Sequence, residues 1–554
     1  MGEGLSGWRN RLALWRAARI APATGFSRRP EPRSIGLYAR GKQMVAGNFI
    51  AGVASVEAPG RPIWDVPFAD PHARVEVHGF TWLDDLAAFG DIRAQERAQA
   101  WTEAWIARFG RGQGPGWAPD LIGRRITRWV MQAGMLTEGR DPLPLLASLS
   151  LQIHYLAGRA QGFEALSGLI IAGLALGIEH PAALKVLAAL CDTEIDMGGG
   201  IASRNPEELL EIFTLLTWVS LSLGEAERAL PPELAAAMER IAPTLRALRH
   251  ADGGLARFHD GGRGAEGRLD SALANAGVRP MGNAGMAMGY VRLHGGRTTV
   301  IVDAAPPPPG VQGHASTNGF ELTSGRRPLV VNVGAGTAFG AEWRQAGRAT
   351  ASHATLAVEG YSSSRLGASG QGDFTERAEV TTLRVLPGEN GGGVHLVHNG
   401  WAATHGLSHV RDLMLTSDGR HLTGIDRLAA VTTTDKRRFE RLAQGRRFQG
   451  VKFAIRFHLH PDVEARVDLG GAAISLTLRS GEIWVFRHDG ATRMTLDPSI
   501  YLEKSRLRPR ESLQIVLSGL ANDFDTQAGW TLAKAQDTPL AIRDLERDDP
   551  AGQI

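Results

Sequence analysis

The sequence is poor in cysteine. It holds a single one, Cys191, in 554 residues, so it can build neither an intramolecular disulfide framework nor a cysteine-rich metal site. It also lacks an excess of either charge. Lys and Arg number 61 against 58 Asp and Glu, a net of +3, which excludes the strongly basic profile of a dedicated nucleic-acid binder. No uncharged apolar run reaches the roughly 18 residues that a membrane-spanning helix needs. Tyrosine is rare, with five in the whole chain. No export signal is expected either. Residues 1–35 carry Arg9, Arg11, Arg16, Arg19, Arg28, Arg29 and Arg33, and the apolar pieces between them are too short for a secretory core. The expectation is a cytoplasmic protein, with the periplasm as the alternative. Met1-Gly2 with Ser6 fits a myristoylation pattern that is short enough to arise by accident.

What is abundant is glycine, 68 residues, in no collagen period and in no single tract. Hydrophobic residues make up 43%, enough for sizeable cores. The pattern divides the chain. Residues 1–40 read as a flexible, Arg-rich arm. Residues 41–280 have the 3- to 4-residue apolar spacing of packed helices, predicted over 93–109, 118–136, 143–158, 162–177, 181–191, 206–224 and 231–249. Pro181, Pro206 and Pro232 stand near helix starts, where a missing N–H does no harm. Gly114-Pro115-Gly116, Asp141-Pro142 and Gly198-Gly199-Gly200 break the helices. Over 281–540 the period changes to two, as in Thr298-Thr299-Val300-Ile301-Val302-Asp303 and Val451-Lys452-Phe453-Ala454-Ile455-Arg456-Phe457, with glycine turns between strands. The expected architecture is α+β and multidomain: a helical domain, either a bundle or α/α toroid-like, then a large antiparallel β-sandwich.

Several stretches narrow this further. They are Trp117-Ala118-Pro119-Asp120-Leu121-Ile122-Gly123-Arg124-Arg125, Ser203-Arg204-Asn205-Pro206-Glu207, Gly289-Tyr290-Val291-Arg292-Leu293, His314-Ala315-Ser316-Thr317-Asn318-Gly319-Phe320-Glu321-Leu322 and Arg348-Ala349-Thr350-Ala351-Ser352-His353. Together with the helix-then-strand order, they resemble the bacterial branch of the heparinase II/III-like polysaccharide lyases. The resemblance implies cleavage of a uronate-containing anionic glycan by β-elimination. That chemistry must neutralise the uronate carboxylate, remove the weakly acidic C5 proton and protonate the leaving oxygen.

The resemblance assigns Asn205, Tyr290 and His353 to catalysis, and Arg204, Arg292, Arg348 and His314 to substrate binding. Each residue also has a plain structural reading. Asn205 precedes Pro206 and would cap a helix. Tyr290 and His353 would be packed, hydrogen-bonded residues. The sequence departs from the family pattern at the metal-holding positions, where Gln312, Ser316 and Asn332 replace a histidine and two aspartates. No cofactor is therefore expected. The alternative is a divalent metal held by His314 and His353 alone. His458 and His460, two apart, read as a polar strand face, and the Gly367–Gly372 loop lacks the Lys-Ser/Thr of a phosphate loop.

Two competing functions remain. One is a non-catalytic glycan-binding or envelope-associated protein on the lyase fold, motivated by the lost carboxylates. The other is a glycoside hydrolase, for which Glu194, Asp196 and Glu207 supply carboxylates without a distinctive spacing.

Overall fold

The computed structural model describes residues 3–538 except 52–53, 69, 279–284, 368–371, 389–390, 446–448, 505 and 507. Met1-Gly2 and most of the Gly367–Gly372 loop lie outside the described residues. The predicted helices are present as α1 (Ile92–Phe109), α2 (Pro119–Met131), α3 (Leu143–Leu156), α4 (Phe163–Leu176), α5 (Pro181–Glu194), α6 (Pro206–Glu225) and α7 (Pro232–Ala247). Proline opens α2, α5, α6 and α7, where its fixed φ suits the first turn. The helix expected over 118–136 is split. Gln132 leaves helical geometry (φ −99°, ψ 19°), and a short helix, Ala133–Thr137, follows.

The helices pack through wide apolar faces. Between α2 and α4, glycine permits backbone contact: a Cβ on Gly168 would stand 2.3 Å from the Gly123 carbonyl oxygen. The N-terminal residues differ from the free arm expected at 1–40. They form a helix, Glu3–Ala17, and then run along the helical region, because their backbone donors find acceptors there. Ala23 N–H donates to Ser150 Oγ (3.0 Å), Ser27 N–H to Ala175 O (2.9 Å) and Leu37 N–H to Asp85 Oδ1 (2.7 Å).

The strands of the two large sheets are, in chain order, β1 (Met286–Ala287), β2 (Tyr290–Gly295), β3 (Thr298–Asp303), β4 (Phe320–Ser324), β5 (Arg327–Val331), β6 (Leu356–Val358), β7 (Val380–Gly388), β8 (Gly391–Trp401), β9 (Leu407–Thr416), β10 (His421–Ala429), β11 (Val451–Leu459), β12 (Glu464–Asp468), β13 (Ala473–Thr477), β14 (Ile483–His488), β15 (Arg493–Tyr501), β16 (Arg510–Ala521) and β17 (Asp525–Lys534). One sheet has the order β15-β16-β11-β5-β4-β3-β2-β1, with β6 also on β11. The other runs β7-β8-β9-β10-β17-β14-β13-β12. All of these pairings are antiparallel. Phe320, Phe457, Phe486 and Trp530 stack between the sheets. Tyr290 and Ile301, although on strands, belong to the helical core, so the first strands of the sandwich are where the two cores meet.

Candidate functional site

The candidate residues meet at this junction. Asn205 is the N-cap of α6, and its Oδ1 accepts from Glu207 N–H (3.0 Å) and Glu208 N–H (3.2 Å). The loop Phe258–Gly262 crosses beside it. A Cβ on Gly261 would lie 2.6 Å from Asn205 Oδ1, so only glycine fits there. The loop holds His259 (φ 48°) and Asp260 (φ 65°) in the left-handed region, as the preceding turn does Arg204 (φ 53°). Non-glycine residues take that conformation only where their surroundings enforce it.

Arg204 reaches from the helical region into the sandwich. It pairs with Asp303 (2.5 Å), donates to Met288 O (3.1 Å), Gly289 O (3.0 Å) and Pro306 O (2.7 Å), and lies over the Tyr290 ring. The Tyr290 hydroxyl donates to the Arg204 carbonyl (2.7 Å), and burial raises its pKa well above the usual phenol value. Asp303 also accepts from Ser316 Oγ (2.6 Å) and faces His259 Nε2 at 3.6 Å. The structure thus connects Arg204, Tyr290, His314 and His353 in one network, with Asn205 adjoining. Arg292 stands to one side, donating to Ala247 O (3.0 Å) and Arg249 O (2.6 Å). Arg348 stands to the other, donating to Gly313 O and Gly372 O at 2.8 Å each.

The backbone fixes the histidine tautomers. An amide N–H can only donate, so His314 Nε2, which receives Asp260 N–H (3.1 Å), is an acceptor. The proton of neutral His314 then sits on Nδ1, which points at His353 Nε2, 3.2 Å away. His353 Nε2 accepts it, and His353 Nδ1 donates to Ala349 O (2.9 Å). His259 Nδ1 accepts His314 N–H (3.2 Å), leaving its proton on Nε2, towards Asp303. Burial keeps all three rings neutral. It lowers His259 and His314 well below the usual value, helped by neighbouring cations and imidazoles, and His353 to about 4. Each ring therefore has its lone pair engaged by the protein itself.

The residues at the candidate metal positions are engaged within the protein. The facing nitrogens of His314 and His353 are bonded to one another. Ser316 serves Asp303, and Asn332 Oδ1 accepts Ala354 N–H (3.2 Å) while its amide nitrogen donates to Glu321 (3.3 Å). Among the described residues no three His, Cys, Asp or Glu side chains are placed to hold an ion. His458 and His460 form no clip. His458 bonds Ser499 Oγ (2.8 Å) and Ala351 O (2.9 Å), whereas His460 lies against Tyr501 and Asp462.

Sequence reasoning missed His259, Asp260 and Asp303. The first two lie beyond the last predicted helix, 231–249, and their signal was the Gly261-Gly262 pair that lets the loop pass against Asn205. Asp303 read as the end of a strand.

Comparison with known proteins places the chain. Residues 277–531 match the model of the heparinase II/III-like C-terminal domain. The "FtsZ-localized protein C" of Caulobacter vibrioides is 30% identical over 542 residues, covering 92% of this chain and 91% of its own. Among solved structures, heparinase III superposes with a TM-score of 0.68 at 12% identity, covering 95% of this chain and 89% of its own. The heparan sulfate lyase HepC of Pedobacter heparinus, in mutant form, gives 0.59 at 14%, covering 96% and 88%. These two share the fold, helical domain and sandwich alike. No described helix is long and apolar enough to cross a membrane.

Proposed function

The chain belongs to the heparinase II/III-like family, and we propose that within it this protein is a non-catalytic binding protein of the cell-division machinery. One observation carries the reading: the imidazoles of the junction have no lone pair free to take a C5 proton. His314 Nε2 is held by a backbone amide and His353 Nε2 by His314. The carboxylate-neutralising role of Arg204 and Arg292 is equally pre-empted, because Arg204 has Asp303 as its counter-ion and Arg292 is directed at backbone carbonyls. Elimination needs groups organised towards a substrate; these are organised towards each other. The relative that shares nearly the whole chain is named for its localisation with FtsZ, which supports an FtsZ polymer as partner.

A second reading is a uronate-glycan lyase. It draws on the neutral His314–His353 pair and Tyr290 lying in one network at the junction of a lyase fold. One pair of measurements separates the two. The purified protein is mixed with a panel of uronate polymers while the ultraviolet absorbance of unsaturated ends is followed, and is sedimented with FtsZ polymers. No absorbance together with co-sedimentation is expected. Absorbance that rises with a uronate polymer, and is lost in His353→Ala, would establish the lyase instead.

A further inference from the structure

Besides the three-residue β6, which pairs only with β11, the two large sheets have four edge strands, and three of them are protected against further pairing. β1 has two residues. β15 carries Pro498, which has no N–H to offer. β12 is five residues long and places Glu464, Arg466 and Asp468 at alternate positions. Short edges, prolines and charges are the usual ways of blunting a strand that would otherwise recruit another. The fourth edge, β7, keeps the run Val380–Leu386 before its proline, Pro387, with a register irregularity at the start of the run, between Val380 and Thr382, and a single charge, Arg384. Its residues Val380-Thr381-Thr382-Leu383-Arg384-Val385-Leu386 are β-branched or apolar but for one arginine.

The apolar rows of this sheet also run off its edge. In the register, Leu413, Val394 and Val385 lie side by side on the core face. Their exposure goes from 1% and 0% to 41%, so the row is closed on one side only. On the opposite face Met414 and Leu386 flank Gly393 and are 44% and 37% exposed. A further strand would continue both rows.

From these observations we infer that β7 pairs antiparallel with β7 of a second copy of this chain, joining two eight-stranded sheets across a twofold axis at Leu383. The segment is complementary to itself. With the axis there, Leu383 faces Leu383 of the second copy, Val385 faces Thr381, and Arg384 faces Thr382, so no like charges oppose one another. Strand pairing supplies backbone hydrogen bonds, and Val385 and Leu386 gain cover. Such an edge contact falls at the small end of specific interfaces, about 1,000 Å², so the dimer forms in a concentration-dependent way. This inference is independent of whether the junction performs chemistry.

Sedimentation velocity on the full chain over a concentration series tests it, alongside three variants. The wild type should shift from monomer to dimer with concentration. Val385→Lys should stay monomeric with an unchanged thermal midpoint, since a lysine at this half-exposed edge reaches water. Leu383→Cys should form a disulfide-linked dimer under oxidising conditions and Thr381→Cys should not, the native Cys191 being buried. A wild type that is monomeric at every concentration overturns the inference, including the case in which the edge instead takes a strand from another protein. A dimer undiminished in Val385→Lys, or equal cross-linking through positions 381 and 383, overturns it too.

Discussion

Two buried polar networks lie back to back in this molecule, and they solve the burial of charge differently. The junction network joins Arg204 of the helical region to Asp303 of the sandwich and adds His259, His314 and His353, three neutral rings bonded chiefly to backbone and to one another. The second network lies inside the sandwich. There Asp426 accepts from Arg411 Nε (2.7 Å) and Nη2 (3.0 Å), His409 Nε2 (2.7 Å) and Trp530 Nε1 (2.8 Å), and His398 leans on His409. The two touch through shared segments, since Arg411 also donates to Asn318 O and Ala354 O, close behind His314 and His353. The core network centres on one carboxylate with four donors. The junction network is a chain, and a chain passes through two domains. Tight charge compensation therefore holds the sandwich, while the junction adds to its Arg204–Asp303 pair neutral imidazole hydrogen bonds that acid can undo.

The largest break in this comparison should come from Asp426→Asn. It leaves the Arg411 guanidinium buried without its counter-ion and should cost about 4 kcal/mol, since removing one partner of a buried pair typically costs 3–5. Asp303→Asn should cost less, because Arg204 keeps carbonyl acceptors for all three guanidinium nitrogens, at Met288, Gly289 and Pro306, whereas Arg411 keeps them for one nitrogen only. Urea unfolding at neutral pH measures both, and an Asp303→Asn loss equal to or larger than that of Asp426→Asn would erase the distinction.

The pH dependence sharpens it. His353 is neutral in the fold, with its pKa lowered from 6.5 to about 4, whereas the unfolded chain takes up a proton below about 6.5. Its contribution is complete above that value and is lost as the pH falls towards 4, about 3 kcal/mol in all. His409 is also lowered by burial, but its bond to Asp426 works in the opposite direction, so its pH dependence is weaker. Asp426 itself is held far below the usual carboxylate range, Arg411 and His409 outweighing its burial. Stability curves from pH 7 to pH 5 should flatten more in His353→Gln than in His409→Gln; equal slopes would contradict the account.

The smallest effect is expected at Asn205. Loss of its two capping bonds in Asn205→Ala should destabilise by about 1 kcal/mol, the usual worth of an N-cap. Thermal denaturation reads it, and a loss of several kcal/mol would show that Asn205 also anchors the Phe258–Gly262 loop.

Much of the fold was legible from local pattern. The helix starts at Pro119, Pro181, Pro206 and Pro232, and the strands from Thr298 and Val451, follow from apolar spacing and from where proline is tolerated. Asn205 as a cap followed from its place before Pro206. The break at Gln132 was not legible, because it depends on how Gln99 of a neighbouring helix bonds the carbonyls of Met135 and Glu138. The arm at 1–40 was misread because its acceptors, Ser150, Ala175 and Asp85, lie far along the chain.

By itself, the sequence determined the order of helical and β regions, the family resemblance and the candidate histidines, since these rest on periodicity and on residue identity. Only the tertiary structure decided what the histidines can do. The partners of His314 come from residues 259, 260 and 353, and Arg204 meets Asp303 across the domain boundary. Tautomer, protonation and counter-ion are properties of such distant contacts and of burial. No local pattern encodes them.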